Sequence, residues 1–430
     1  MIPKIEQASL SEIKIFQEKK MRTLLSYLEE NSKFYQKRFK DNSIDIFTIK
    51  TVEDLEKIPV TTKEDLQINN EDFICVKKEE IIDIVTTSGT LGDPVTFMLS
   101  NNDLDRLSYN EYISFACAGI TNKDVVQLTT TLDKRFMAGL AYFLGIRKLG
   151  ASVIRTGVGS PELQWDSIIR LKPTCLVVVP SFLLKLISYA KKHQINLKEV
   201  SVQKAVCIGE PVRNQNFTLN ALAKKIKEEW DIELFSTYAS TEMSTAFTDC
   251  KEKNGGHHHP ELIITELLDE NNKPVKEGEP GELTITTLGV ETMPLLRYKT
   301  GDVVTIHNEP CKCGRNTYRI GSVLGRKKQM IKLKGTTIFP EAIKSVLNEF
   351  NEIINFVIEI YHNEIDTDEV VLKIETNSDE GKLKTRVAER CKTKLRVVPH
   401  IEFTSKDEIQ KLRFPKLSRK PVDIIDKRIT

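Results

Sequence analysis

Residues 172–192 read KPTCLVVVPSFLLKLISYAKK. The run Cys175–Val179 is short, unbroken and apolar, and it sits between a Pro-Thr turn signal and Pro180. That is the pattern of a strand buried on both faces. Ser181–Lys192 follows with apolar residues at three- and four-residue spacing, which predicts a helix. The alternation recurs on either side, with strand-like runs at Val125–Thr129, Lys204–Ile208 and Glu233–Phe235 and a helical stretch at Asn216–Trp230. Residues 81–245 are therefore expected to form βαβ units around a mainly parallel sheet, an α/β class. Ligands of such sheets sit where strands end and loops begin.

Outward from this block the pattern changes twice. Residues 10–60 have helical spacing, as in IKIFQEKKMRTLLSYLEENSKFYQKRF. Residues 261–325 hold short strands between turn signals (ELIITELLDENNKPV, GELTITTL, VVTIHNE), which predicts an antiparallel sheet. After Gly325 comes the basic stretch RKKQMIKLKG. The remainder reads strand (QMIKL), helix (EAIKSVLNEF), strand (IINFVIEIY), strand (EVVLKIE), helix (GKLKTRVAERCKTKL), strand (HIEFTS), the order of a small ferredoxin-like α+β domain. A domain boundary is placed at about residue 325, giving units of 1–325 and 326–430. No internal repeat is visible.

With 430 residues, 40% hydrophobic and 29% charged, the chain has the balance of a soluble globular protein, which excludes disordered, collagenous and disulfide-scaffold classes. Lys and Arg number 63 against 61 Asp and Glu, so no global field draws nucleic acid or anionic lipid. No basic stripe carries interleaved aromatics either, and a nucleic-acid-binding role is set aside. No stretch approaches the roughly 18 apolar residues of a membrane span. The opening MIPKIEQASLSEIKIFQEKK lacks the apolar block of a signal peptide, so a cytoplasmic protein is expected. In that compartment the eight cysteines are thiols or metal ligands rather than disulfides.

Three motifs carry chemistry. Thr86-Thr87-Ser88-Gly89-Thr90-Leu91-Gly92-Asp93-Pro94 interleaves hydroxyls with glycines after the apolar IIDIV. Such a loop wraps anionic oxygens, because glycine lets the backbone approach and Ser/Thr donate. It lacks the GK[ST] ending of a Walker loop, and alone it reads equally as an ordinary turn. Tyr238-Ala239-Ser240-Thr241-Glu242 offers a ring to stack on a base, hydroxyls for phosphate and a carboxylate for Mg²⁺, with a capped strand end as the plain alternative. Leu296-Arg297-Tyr298-Lys299-Thr300-Gly301-Asp302, followed by Gly325-Arg326, puts an Asp after a glycine turn, able to accept from vicinal ribose hydroxyls or to serve as a turn residue.

Together SGT-x-G-x-P, Y-x-x-TE, RYKTGD and GRKKQMIKLKG stand in the order and approximate spacing of the adenylate-forming (ANL) superfamily. Within it the chain resembles the phenylacetate–CoA ligase family, through IPVTTKEDL, LGASVIRTGVG, KPTCLVVVPSFLLKL, GEP, GELTITTLGVETMPLLRYKTGD, CKCGR and KLKGTTIFPEAI, from about residue 50 onward. The resemblance implies a large N-terminal acyl-adenylate-forming domain of mixed sheets with helices, and a small mobile C-terminal domain. It also implies a two-step reaction. A small aryl or related carboxylic acid attacks the α-phosphate of ATP, releasing pyrophosphate, and the thiol of coenzyme A then displaces AMP. The alternative is an enzyme that passes AMP or acyl to another acceptor, as in coenzyme-F-adenylating relatives.

Carried over by motif, Ser88, Gly89, Thr90 and Gly92 line the phosphate loop. Glu210 and Pro211 flank adenine and Tyr238 stacks on it. Thr241 contacts the α-phosphate, Glu242 holds Mg²⁺, and Asp302 with Arg326 takes the ribose. Lys420, in SRKPVDIID, matches the adenylation lysine, and Lys328 marks the hinge. Phe136, Met137, Tyr142 and Phe143 are candidate acyl-pocket lining, or core. Asp93, Ala239 and Arg419 depart from the family's usual residues. Relatives are often homodimers, and a homodimer is expected.

A metal site is expected as well. Cys250 and His257 have six residues between them in CKEKNGGH, and Cys311-Lys312-Cys313 follows in a Gly/Pro-flanked turn. Two thiolates beside a Cys/His pair suit tetrahedral Zn²⁺, and with four protein ligands the zinc is structural. Some members of the resembled family carry matching residues. His258 and His259 are rival ligands, with unrelated thiols and a surface His run as the alternative. Cys75, Cys117, Cys175, Cys207 and Cys391 read as core packing.

Overall fold

Cys175–Val178 is a strand with all four residues buried, as its composition demands. Its sheet is nine strands wide in the computed structural model, which describes residues 2–87, 94–333, 336–362, 368–414 and 421–428. Five strands run parallel in the order Ser152–Arg155, Val125–Leu128, Cys175–Val178, Lys204–Cys207 and Glu233–Ser240. Four antiparallel strands extend it: Thr245–Asp249, Gly256–His257, Arg319–Ile320 and Ile306–His307. Helices Met137–Leu149, Pro161–Leu171, Pro180–Lys192 and Ala221–Glu229 make the crossovers. The core between sheet and helices gathers Val126, Leu128, Ile146, Val177, Val206 and Phe235.

Helix Asn101–Cys117 crosses Met137–Leu149 closely enough that a Cβ on Gly145 would lie 2.2 Å from Glu111 Cβ. Only glycine permits that approach. A second sheet carries Ile263–Leu268 against Gly281–Thr287 in antiparallel register, then Tyr298–Val304.

Two units divide the chain: Met1–Leu219, Ala223–Thr300 and Val304–Ser322 form the first, and Asn220–Leu222, Gly301–Val303 and Val323–Thr430 the second. In the second, Ile353–His362 and Asp368–Thr376 form a central antiparallel hairpin. His400–Phe403 and Ile424–Asp426 flank it in parallel. Helices Pro340–Leu347 and Glu380–Leu395 complete the α+β make-up, around Ile343, Leu372, Ile374, Leu383 and Val387.

Three local expectations are corrected. Helix spacing over 10–60 is realised only in Leu10–Asn31 and Lys33–Asp41. Beyond them Asp45 accepts from the Phe47 amide, and Asp54 from those of Lys50 and Thr51, so side chains take the amides that a helix would use. Asn216 likewise starts a turn by accepting from Thr218, and the helix there begins at Ala221. In the second unit Ile331–Leu333 does not join the four-stranded sheet as a ferredoxin-like order requires. It pairs with Thr336–Ile338, a local closure of small entropic cost, and Ile424–Asp426 takes the edge instead. Among the described residues no helix is long and apolar enough to cross a membrane.

Candidate active site and metal centre

The parallel strands Cys175–Val178, Lys204–Cys207 and Glu233–Ser240 are neighbours, so their C-terminal loops are too. Of the expected nucleotide-binding segments, Glu210-Pro211 lies on the loop after Lys204–Cys207, and Tyr238–Glu242 spans the end of strand Glu233–Ser240 and the turn that follows it. The Glu210 carboxylate reaches across to the adjacent loop, accepting from Ser181 N at 2.8 Å and Ser181 Oγ at 2.9 Å. It thus caps helix Pro180–Lys192, where the helix dipole favours an anion.

Tyr238 is half-buried and pairs across the sheet with Phe247, the rings 6.1 Å apart and nearly parallel. Thr241 and Glu242 occupy the turn that follows, both half-buried. Ser244 closes that turn on the Thr241 carbonyl through its amide and its hydroxyl, with φ at 47°.

One residue that sequence reasoning missed underlies this turn. Arg106 is buried, and its guanidinium donates to the carbonyls of Ser244 (2.6 Å), Leu262 (2.6 Å) and Leu288 (2.7 Å) and to Thr245 Oγ1 (3.2 Å). Burial lowers its pKa to about 10, which leaves it charged at neutral pH. It fixes the Thr241–Ser244 turn to the second sheet. Nothing local marks it, since every acceptor is remote in sequence.

The hydroxyl/glycine motif lies mostly outside the described residues, with Ser88, Gly89, Thr90, Gly92 and Asp93 among those not described; so does Lys420. Its neck is described: strands Asp83–Thr86 and Thr96–Leu99 pair, and Thr87 and Val95 bond through Val95 N to Thr87 Oγ1 at 3.0 Å. In the second unit Asp302 and Arg326 are cross-strand partners, and the Arg326 guanidinium lies 3.3 Å from the Asp302 carboxylate. Lys328 follows in the turn Lys327–Gln329. Of the candidate acyl-pocket residues, Tyr142 is core: it is buried and packs edge-on against Phe115.

On the antiparallel wing of the large sheet, Cys250 directly follows strand Thr245–Asp249 and His257 lies on the next strand, while Cys311 and Cys313 sit in the connection between Ile306–His307 and Arg319–Ile320. Their four donor atoms all lie within 4.8 Å of one another. Cys250 and Cys311 Sγ are 3.6 Å apart, and Cys313 Sγ is 3.5 Å from His257 Nε2. Zn–S bonds of about 2.3 Å at tetrahedral angles put sulfurs roughly 3.8 Å apart, so the donors fit zinc with little movement. A hydrogen bond from Cys250, then those from His257 and Arg315, hold the Cys313 thiol well below its ordinary pKa. Thr317 Oγ1 lies 3.4 Å from His257 Nδ1, where an outer partner orients a ligand imidazole.

His258 and His259 are engaged elsewhere. His258 stacks on Tyr318 and contacts the Ile263 carbonyl at 2.7 Å. His259 contacts Glu6, which also accepts from Arg315 Nε at 2.6 Å. Burial raises the Glu6 pKa, but His259 and Arg315 outweigh it and hold the carboxyl below the usual range. Cys117 is buried, as its core reading expects, and packs against Cys250 and Cys311.

Comparison with known proteins is consistent with this geometry. The family described as AMP-binding enzyme matches residues 14–293, and the AMP-binding enzyme C-terminal domain matches residues 335–428. The phenylacetate-coenzyme A ligase of Thermus thermophilus is 28% identical over 87% of this chain and 84% of its own. That of Pseudomonas putida is 25% identical over 100% and 97%. A crystal structure of 2-hydroxyisobutyryl-CoA ligase in the postadenylation state, with a bound acyl-AMP, shares the fold with a TM-score of 0.86 at 23% identity, covering 99% of this chain and 92% of that one.

Proposed function

The chain belongs to the AMP-binding enzyme family, and from that membership we propose that it is an ATP-dependent acid–CoA ligase. It forms an acyl-adenylate from a small aryl or related carboxylic acid, then an acyl-CoA thioester, releasing pyrophosphate and AMP. The observation that carries the reading is that Glu210-Pro211 and Tyr238–Glu242 follow or end neighbouring parallel strands, in a chain whose curated relatives include phenylacetate-coenzyme A ligases.

A carboxylate is a poor electrophile, and adenylation gives its carbonyl a good leaving group. The protein's task is to position the two reactants and neutralise phosphoryl charge. In this reading Tyr238 offers its ring to adenine beside the Glu210-Pro211 backbone, and Thr241 donates to the α-phosphate. Ser88, Gly89, Thr90 and Gly92 cradle the other phosphates, Lys420 stabilises the α-phosphate in the first step, and Asp302 with Arg326 holds the ribose. Glu242 presents carboxylate oxygens suited to Mg²⁺, which supplies charge neutralisation when bound. Cys250, His257, Cys311 and Cys313 hold a structural Zn²⁺ that ties the strand following Tyr238–Glu242 to the connection around Cys311. Residues 326–430 act as a mobile body turning near Lys328 between the half-reactions.

The test is ATP–pyrophosphate exchange across arylacetates, benzoates and short fatty acids, with Lys420→Ala as control. Exchange that depends on one acid and disappears in the variant supports the reading and identifies the acid; no exchange with any acid counts against it. Turnover that requires coenzyme A separates the ligase from an enzyme that transfers AMP or acyl to another acceptor.

A further inference from the structure

The segment that follows Gly325-Arg326 begins with a turn that buries none of its residues. Lys327–Gln329 is a single 3₁₀ turn with no buried residue, closed by Met330 N on the Lys327 carbonyl at 3.1 Å. Runs with few buried apolar contacts open locally at low cost. Yet this one is gripped by a residue 100 positions downstream.

Arg428 has five N–H donors, and all five are used. Its NH2 group donates to the Lys328 carbonyl at 3.2 Å and to Asp426 Oδ2 at 2.7 Å. Its NH1 group donates to the Met330 carbonyl and to Asp368 Oδ2, each at 2.9 Å, and Nε to Asp426 Oδ1 at 2.9 Å. The side chains of Arg428, Asp426 and Asp368 are 9%, 1% and 6% exposed, so this is no solvated surface pair of small worth. Both carboxylates belong to the sheet of the second unit. Asp426 pairs with Ile360, and Asp368 begins the strand that pairs with His362. One planar fork thus joins two backbone carbonyls of the basic segment to two strands of the sheet.

We propose that Arg428 is a positioning residue of the hinge: by fastening the carbonyls of Lys328 and Met330 to Asp426 and Asp368, it confines the pivot to the backbone of Lys327 and Lys328. The inference rests on the reading of residues 326–430 as a body that turns near Lys328. From the Lys328 carbonyl onward the chain moves with the sheet. Before it, Arg326 is held in register with Asp302. A lysine at position 428 keeps the charge but cannot grip five acceptor atoms, because an ammonium has three donors and lacks the planar fork.

The experiment uses the full-length chain and its Arg428→Lys variant, with Asp426→Asn as an isosteric second variant should the first fold poorly. Hydrogen exchange is followed by mass in peptides covering 326–331 and 353–362, and the two half-reactions are timed separately. The clamp predicts exchange about tenfold faster in 326–331 with 353–362 unchanged, because local opening is freed without unfolding the sheet. It also predicts pyrophosphate exchange near the parent rate and slower thioester formation. Unchanged exchange at 326–331, or a rise shared by the whole unit, overturns the clamp; a loosened segment with an unaltered thioester step overturns its part in turnover. Should the parent chain adenylate no acid at all, the ligase reading fails, and the hydrogen-exchange result still decides the clamp.

Discussion

The Arg106 guanidinium donates to the Ser244 carbonyl at 2.6 Å across 138 positions of sequence, and the same group holds Leu262 and Leu288. The turn bearing Thr241 and Glu242 is therefore set from behind by a buried charge on helix Asn101–Cys117. Arg106→Lys removes the fork and leaves carbonyls without donors. Pyrophosphate exchange is expected to fall about tenfold to a hundredfold, the cost of misplacing catalytic groups by about 1 Å. Saturation curves for ATP and acid check it, alongside a thermal midpoint showing that the variant is folded. A folded variant that exchanges at the parent rate would show that the turn holds itself.

Removal of the metal makes a separate prediction, since the four donors join strand Thr245–Asp249 to the distant connection around Cys311. Purified protein is expected to carry about one zinc per chain, and Cys311→Ala with Cys313→Ala to carry none, because ligand loss abolishes a structural site. Chelation should lower the thermal midpoint of the parent and leave that of the double variant unmoved. Metal analysis that finds no zinc in parent protein prepared without chelator would refute the assignment.

The parallel sheet was legible because its strands are short apolar runs with helices between them, a pattern that burial on both faces imposes. Cys175–Val179 announces its strand within one residue of the observed Cys175–Val178. The Cys250, His257, Cys311 and Cys313 cluster was legible as residue types, but which of three adjacent histidines joins it was not: that depends on Tyr318 engaging His258 and Glu6 engaging His259. Arg106 and Glu6 look like solvated charges in their own segments, and become structural only through acceptors that the fold brings from far away. Ile331–Leu333 misled for the opposite reason. Its apolar residues do enter the core of the second unit, but its backbone pairs locally, and side-chain pattern reports burial rather than pairing partner.

Glu6 gives a sharp case of that remote dependence. It is fully buried, and it links Arg315 and His259 beside Cys313 and His257 of the Cys/His cluster. Glu6→Gln keeps the shape, removes the charge and leaves the Arg315 guanidinium buried with no carboxylate opposite. A loss of about 3 kcal/mol is expected, as when one partner of a buried ion pair is removed. Urea unfolding at pH 7 measures it, and a loss below about 0.5 kcal/mol would be the value of a surface pair and would contradict the buried network.

Glu111 has the opposite electrostatics and yields a pH dependence. It faces the Gly145 crossing, fully buried, with Asn110 Nδ2 donating to its Oε1 at 3.0 Å. Burial raises its pKa to about 8, against which the Asn110 bond is the lesser effect. In the fold the group is thus neutral at pH 7, while in the unfolded chain it ionises near pH 4.5. Between those values the folded state binds the extra proton, so stability declines as pH rises and levels off above pH 8. Each pH unit is worth at most about 1.4 kcal/mol, and the total decline between pH 5 and 7.5 is on the order of 1–3 kcal/mol. Glu111→Gln has no proton to lose and should abolish this component, gaining on the parent as pH rises. Denaturant unfolding of both proteins at half-unit steps from pH 5 to 8 tests it: the difference in stability must change steadily with pH. A difference that stays constant would mean that Glu111 is ionised in the fold, and that a cation or further donor reaches it past the helix crossing.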